Sequence, residues 1–491
     1  MLDYKLENRG SSSLYEYLYQ QIRSDILSGS IAAGEHLPSK RALAEHLGVS
    51  VITVENAYDQ LVAEGYVYSL PRRGFYAREL PERASIQPSP PTPALGSRPD
   101  NDASSDDIDR DLPGPGRASA DDAIRFDFAS PSSIAASAGA RLWSKALRSA
   151  LASEPDEVLY GPSPAQGSLR LRRAIAHHLK ANRGMDVDPA CIVVGAGAQL
   201  LDVQLAQLFG TTRTFAVEDP GYLRLTHIYQ ALGARVRHIA MDGQGVSVDD
   251  LAAKRADVLH LMPSHQFPTG RVTSIARRYE LMGWAASATG RYLIEDDYDC
   301  EFRLAGRPVP PLASIDAAGR VVYTNTFSRS LSSALRLAYM VLPPALMERY
   351  ARELSFYSST VSSIDQVVLA RLLEDGSYER HVSRIRKRQR DARDKLVQAL
   401  RTSGLNDRVS IEEADSGMHF VLAVEDTRPD TRLTDLALAR GVRLSPLSSF
   451  AWCGEHATQP DGLKRFVIQY GGVPVADFEP AVQALERAWR L

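Results

Sequence analysis

The sequence predicts a two-part fold: a small α+β head of short helices and a hairpin, and an α/β body built on a mostly parallel sheet with a smaller C-terminal domain. Three observations predict it. Residues 37–64, LPSKRALAEHLGVSVITVENAYDQLVAE, carry two short amphipathic helices about one glycine. Residues 81–122 are rich in Pro, Ser, Asp and Gly and nearly devoid of large apolar side chains. From 123 onward, apolar strand-like runs alternate with helical patterns, which specifies parallel strands covered by helices on both faces. The expected division is a head over 1–80, a disordered linker over 81–122 and a body over 123–491, with the smaller domain from about 375.

Composition bounds the function without naming it. The chain has 491 residues, 44% apolar content and a formal net charge of −3, enough for two cores and no general attraction to nucleic acid. Cysteines at 191, 300 and 453 show neither metal-ligand spacing nor a disulfide framework. No run approaches the ~20 apolar residues of a membrane span, and MLDYKLENRG is no signal segment, so the chain is expected to be cytoplasmic.

In the head, Leu14, Leu18, Ile22 and Ile26 recur every four residues, one stripe of a helix ended by Gly29. Ser39 is placed to cap a helix burying Leu43, Ala44 and Leu47, and Gly48 supplies the turn. Ser50 caps a second helix, whose Val54, Ala57, Tyr58, Leu61 and Val62 face one way. YVYSLPRRGFYA (66–77) then reads as two short strands around Pro71-Arg72-Arg73-Gly74. Such a unit serves either DNA or protein contacts. The block resembles the GntR-type winged helix-turn-helix, down to LPSxRxLAxxLGVSxxTVxxAYxxLxAEGY. The resemblance implies a double-stranded DNA operator as partner, with the second helix in the major groove. It assigns DNA contacts to Arg41, Thr53, Asn56, Arg72 and Arg73, with the cap serines Ser39 and Ser50 in the same interface. Val51 and Glu55 stand where relatives usually or often carry basic residues. Acidic side chains slightly outnumber basic ones over residues 1–80, so phosphate attraction is modest and salt-sensitive.

In the body the expected strands are CIVVGAG, RTFAVED, RVRHIAM, VLHLM, RYLIEDDYD, RVVYTNTF and AYMVLP. Sheets of this kind bind ligands at the carboxyl ends of their strands. The long basic stretch ERHVSRIRKRQRDARDKLVQAL reads as a solvated helix face, because acidic residues are interspersed and Leu and Val recur at helical spacing.

The chemically distinctive residues fall at the strand ends. GAGAQLLDVQLAQLF (195–209) is a glycine turn opening a helix, whose N–H groups near Ala198 and Gln199 suit a phosphate. Thr326, Ser328, Arg329 and Arg336 crowd hydroxyls and cations after another strand, an anion site by composition. The acidic cluster IEDDYDCEF (294–302) lacks a second His or carboxylate motif at ligand spacing that would favour a metal.

Taken together, the segments resemble fold-type I pyridoxal-phosphate (PLP) enzymes in the form found in MocR/GabR-type regulators. The resemblance implies that Asp296 pairs with the pyridine nitrogen and Tyr298 with the ring oxygen. It also implies that Tyr222, in EDPGYLR, stacks on the ring while Arg224 meets an effector carboxylate. Phosphate contacts fall to Ala198, Gln199, Thr326, Ser328 and Arg336. PSHQFPTG (263–270) matches the family's PTG turn, with Phe267 where many aminotransferases have asparagine. The family's substrate-carboxylate arginine aligns with Val467, and Arg465, two residues away on the same strand face, is its possible substitute.

One departure decides the chemistry. Arg329 stands at the family's Schiff-base lysine. An arginine side chain stays protonated and forms no stable imine, and transamination needs that lysine to move a proton. No catalytic residue is therefore assigned. The favoured expectation is a DNA-binding, homodimeric transcriptional regulator that senses PLP or a PLP–amino acid adduct, bound non-covalently. A regulator with a PLP-free effector domain comes next, and a PLP-dependent aminotransferase third.

Overall fold

In the computed structural model of the chain, the described residues are Tyr4, 13–70, 74–79, 124–130, 134–304, 310–415, 417–452 and 461–490; the expected linker and the wing arginines Arg72 and Arg73 lie outside them. In the head, α1 (Leu14–Ser28) buries Leu18, Tyr19, Ile22 and Ile26, and Gly29 ends it in the left-handed conformation. The Ser39 hydroxyl accepts from the Ala42 N–H at 3.2 Å, starting α2 (Lys40–Leu47). Gly48 turns at φ 65°, and Ser50 accepts from the Thr53 N–H at 3.1 Å to open α3 (Val51–Ala63). The hairpin β2 (Val67–Leu70) and β3 (Gly74–Ala77) gains a third strand, β1 (His36–Leu37), too short to read from sequence.

The body holds an eight-stranded sheet in the order β5 (Ile192–Gly195), β12 (Ala338–Val341), β11 (Val321–Thr326), β10 (Tyr292–Asp296), β9 (Val258–Leu261), β6 (Thr214–Asp219), β7 (Arg235–Asp242), β8 (Gly245–Val246). From β11 to β7 the pairing is parallel, whereas β12 runs antiparallel to β5 and β11, and β8 to β7. Its central strands read as unbroken apolar runs because both faces are covered. Alternate side chains enter different cores. Val258 and Ile294 pack with Leu201, Leu205 and Tyr229, while Leu259 and Leu293 pack with Leu281 and Trp284.

The smaller domain centres on Phe420, Phe466 and Trp489. It contains the antiparallel sheet β13 (Val409–Glu412), β14 (Phe420–Val424), β17 (Lys464–Ile468), β16 (Ser445–Pro446), with α13 (Ser377–Thr402) and α15 (Phe478–Trp489). α13 buries Tyr378, Val382, Ile385, Ala392, Leu396 and Leu400 at helical spacing, so its basic run is indeed an outward face. Arg386 and Arg390 on it donate to the carbonyls of Glu301 and Leu304. A boundary near 375 misses one connection: β4 (Phe126–Asp127), from the start of the body, pairs in parallel with β15 (Val442–Arg443) of the smaller domain.

The head rests on the body. The Ile275 N–H, at the start of α10 (Ile275–Ala286), donates to the Glu64 carbonyl at 3.0 Å. Ile275 completes the head's core, with Tyr279 and Ile315 beside it. The Glu64 carboxyl is buried there and accepts from the Tyr19 hydroxyl at 2.6 Å and from the Gln60 amide. Covalent geometry alone left the head's position open; this contact fixes it without the linker. Among the described residues no helix is long and apolar enough to cross a membrane.

Candidate functional site

Parallel pairing brings the carboxyl ends of β6, β9, β10 and β11 to one edge of the sheet. The antiparallel β12 starts there: Thr326 pairs with Ala338, and Ala338 with Gly195. Arg336, two residues before Ala338, is thereby delivered beside the turn between β5 and α7 (Ala198–Phe209).

That corner gathers groups suited to an anion. Gly197 caps α7 at φ 92°, and the Arg336 guanidinium lies so close that a Cβ on Gly197 would overlap it. Arg336 itself takes the left-handed conformation, φ 48°. No carboxylate forms an ion pair with it among the described residues. The Ser328 hydroxyl is buried without a hydrogen-bond partner. The first N–H groups of a helix lack partners within it, so Ala198 and Gln199 present donors to the same place. Thr326 is different. Its hydroxyl donates to the Leu337 carbonyl at 3.2 Å and accepts from the Ser328 N–H at 3.1 Å, so it builds the loop and leaves Ser328 as the free hydroxyl.

At the other end stands Asp296, closing β10. Its Oδ1 is buried without a partner. Burial, with Asp297 and Asp299 nearby, pushes its carboxyl up to about 7. His260 Nε2 lies 3.9 Å from Oδ2, and the Tyr229 hydroxyl sits 2.7 Å from His260 Nδ1. Burial holds His260 down to about 3, hence neutral. Asp202, behind them on α7, is pushed well up by burial and by the charge of Asp296. Among the described residues Asp296 therefore has no charged cationic partner, and its carboxylate suits a protonated ring nitrogen.

Between the ends lie aromatic rings and a second cation. Tyr222 receives a hydrogen bond from the Gln199 amide at 3.3 Å and meets Phe267 edge-on at 6.2 Å between ring centroids. The Arg329 guanidinium lies over the Tyr298 ring, 5.8 Å from its centroid. Its charge opposes the rise at Asp296, yet the two form no ion pair.

The sequence reading missed a group beside Tyr298. His265 Nδ1 is 2.8 Å from Asp299 Oδ2 and 3.2 Å from the Tyr298 hydroxyl, and its ring lies 4.6 Å from that of His419. His265 and Asp299 are each 3% exposed as side chains, and His265 Nε2 has no partner. Burial, followed by the charges of His265 and Arg329, holds His419 well below its ordinary value. His265 stands inside PSHQFPTG and Asp299 inside IEDDYDCEF, so both were in view; their pairing needs the parallel register of β9 and β10.

Two expected effector contacts fare unequally. Arg224 is exposed on α8 (Leu223–Ala231). Arg465 has its guanidinium committed to Glu412, with two contacts of 2.9 Å, and to Asp461 at 2.9 and 2.6 Å. Two of these bonds tie β17 to β13 and two tie it to the loop at Asp461, so the substitute role expected of Arg465 would require those pairings to open. In the head, Arg41 and Asn56 are exposed and Thr53 half-buried. Ser39 and Ser50 spend their hydroxyls as helix caps. Lys40, absent from the expected contacts, pairs with Glu55 and Asp59 at 3.0 Å each.

Comparison with known proteins follows the same division. Residues 14–77 match the gntR family of bacterial regulatory proteins, and residues 140–471 match aminotransferase class I and II. The chain is 34% identical to the uncharacterized HTH-type transcriptional regulator YhdI of Bacillus subtilis, over 99% of this chain and 97% of that one. It is 30% identical to the probable rhizopine catabolism regulatory protein MocR of Rhizobium meliloti, over 99% and 95%. Identity is 32% with the pyridoxine biosynthesis regulator PdxR of Corynebacterium glutamicum, over 91% and 90%. The body's fold is that of a multiple substrate aminotransferase from Thermococcus profundus, with a TM-score of 0.62 at 22% identity over 74% of this chain and 90% of that one. A kynurenine aminotransferase from Pyrococcus horikoshii gives a TM-score of 0.62 at 21% identity, over 75% and 92%. A gntR-type head and an aminotransferase-type body in one chain, matched end to end by named regulators, mean that this protein belongs to the MocR-type family of HTH transcriptional regulators.

Proposed function

We propose that this regulator binds a double-stranded DNA operator through its head and holds PLP, without a covalent bond, in the body as the sensed ligand. The observation that carries the reading is the set of unsatisfied groups at the strand ends: Asp296 Oδ1 and the Ser328 hydroxyl without partners, and the Arg336 guanidinium against Gly197, where φ 92° strains any larger residue. Leaving such groups buried costs about 1–3 kcal/mol each, and a ring nitrogen with a phosphate would satisfy them together.

The residues divide the work. Asp296, a weaker acid because it is buried, would pass its proton to the ring nitrogen and pair with the resulting cation as a carboxylate. Ser328, Arg336 and the N-terminus of α7 grip the phosphate. Tyr222 and Tyr298 present faces and hydroxyls to the ring. When bound, PLP supplies an electron-withdrawing ring for chemistry at its aldehyde carbon. Arg329 contributes a fixed positive charge there and offers no amine, which supports a sensor without transaminase activity. We further propose a homodimer, whose two heads would meet paired half-sites, with Arg224 available to an effector carboxylate.

Calorimetric titration of the full-length protein with PLP tests this reading. Saturable binding that Arg336→Gln weakens and Asp296→Ala abolishes is expected. Absence of binding, or binding indifferent to both substitutions, contradicts it.

A further inference from the structure

We infer that the outward face of α3 reads thymine: Val51 and Ile52 meet 5-methyl groups in the major groove of the operator, and Asn56 reads adenine in the same stretch. The inference rests on the proposed reading that the head binds double-stranded DNA, and adds which bases it selects. α3 turns Val54, Ala57, Tyr58 and Leu61 into the head's core. Residues three and four apart share a helix face, so Val51, Ile52, Glu55, Asn56 and Asp59 fall together on the opposite side, and each is exposed. Ile52 is 67% exposed and Val51 43%. Branched side chains of this kind are poor helix formers. In the first turn of α3 they weaken the helix, and the head's core does not recover the loss.

The make-up of the face decides which bases it can read. Guanine is read by Arg or Lys through O6 and N7, and α3 contains neither residue. Cytosine is read by a carboxylate at N4. Both carboxylates of the face, Glu55 and Asp59, are held by Lys40 at 3.0 Å each. Thr53 is half-buried, with its hydroxyl 2.8 Å from that of Ser50. Two aliphatic side chains and one amide remain. The apolar group that the major groove displays is the thymine methyl, and an amide pairs with adenine at N6 and N7. Ile52 and Asn56 stand about 6 Å apart along the helix axis, so both reach the same few base pairs. Lys40 and the exposed Arg41, in the first turn of α2, border the face with positive charge. An apolar patch edged by cations fits a groove with methyl groups on its floor and phosphates along its rim.

The test is binding of the full-length protein, followed by fluorescence anisotropy, to a duplex it has selected from a random pool. Each thymine of the protected stretch is replaced in turn by deoxyuridine, which lacks only the methyl group. At least one replacement should weaken binding about threefold to tenfold, the effect of one buried methyl. Ile52→Ala or Val51→Ala should weaken binding to the thymine duplex by a similar factor and be blind to that replacement. Alanine favours the helix, so the head stays folded, which circular dichroism checks. Exchanging the sensitive T·A pair for 5-methylcytosine·G should cost less than exchanging it for C·G. Sequence-selective binding that no deoxyuridine alters, or a methyl dependence that survives in both alanine variants, overturns the inference and leaves the head a DNA-binding unit. Self-association lost in Ile52→Ala with DNA affinity unchanged assigns the pair to a protein contact and also overturns it. Absence of any sequence-selective binding overturns both readings.

Discussion

Asp296 and Arg329 set what the body can do. The Asp296 carboxyl is pushed from 3.8 to about 7 because burial and its acidic neighbours outweigh the more distant Arg329. A folded-state value above the unfolded one means stability that is full below about pH 4 and is lost as pH rises through 7. Asp296→Asn removes this loss. In ligand-free protein the melting temperature of the variant relative to the parent should therefore increase between pH 5 and pH 8, by scanning fluorimetry. A difference independent of pH would show that Asp296 is already ionised and paired. Glu295, pushed up to about 7, titrates in the same window in both proteins and cancels, whereas Glu218, pushed up to about 8 partly by the charge of Asp296, is relieved in the variant and adds to the expected rise. At this scale the sequence displayed Asp296, Tyr298, Ser328, Arg329 and Arg336 openly, because each lies in a short motif at a strand end. The pairing of Arg465 was not legible, because Glu412 and Asp461 are contributed by another strand and a loop.

Elements place these residues within bonding distance. The loop before β14 passes His265 so closely that Gly417, at φ 73°, has no room for a Cβ against that ring and Asp299. Gly417→Ala combines a left-handed backbone with overlap and should destabilise the protein by about 2 kcal/mol or more, measured by denaturant unfolding. A near-neutral result would mean that the His265–Asp299 pair is not packed under this loop. Every strand of the large sheet except β8 was legible, because each carries an apolar run of local origin. The two-residue strands β1, β4 and β8 were not, since nothing but a distant partner defines them. β4 pairs with β15 across more than half of the chain. The cap serines were read correctly as caps, and that role competes with phosphate contact because each hydroxyl already accepts a backbone N–H.

Over the whole molecule, two halves of different chemistry meet where Glu64 accepts from Ile275 and where Ile275, Tyr279 and Ile315 pack on the head's core. In the proposed operator contact charge is sparing: Lys40 is held between Glu55 and Asp59, which leaves Arg41 and the wing arginines to supply the attraction. Using DNA selected from a random pool by the full-length protein, Arg41→Ala should weaken binding across sequences and reduce the salt slope by about one, whereas Asn56→Ala should relax sequence preference. Glu55→Gln, by removing one of the two carboxylates that hold Lys40, should tighten binding at low salt. Unchanged affinity in all three, measured by fluorescence anisotropy, would place the DNA face elsewhere.

The central claim is that the body holds PLP without a bond to it. The most direct measurement is intact-protein mass spectrometry of the unmodified chain saturated with PLP, reduced with borohydride and denatured. The account predicts an unchanged mass for this chain and an added phosphopyridoxyl group on Arg329→Lys treated alongside. A phosphopyridoxyl group fixed stoichiometrically to the unmodified chain would contradict it.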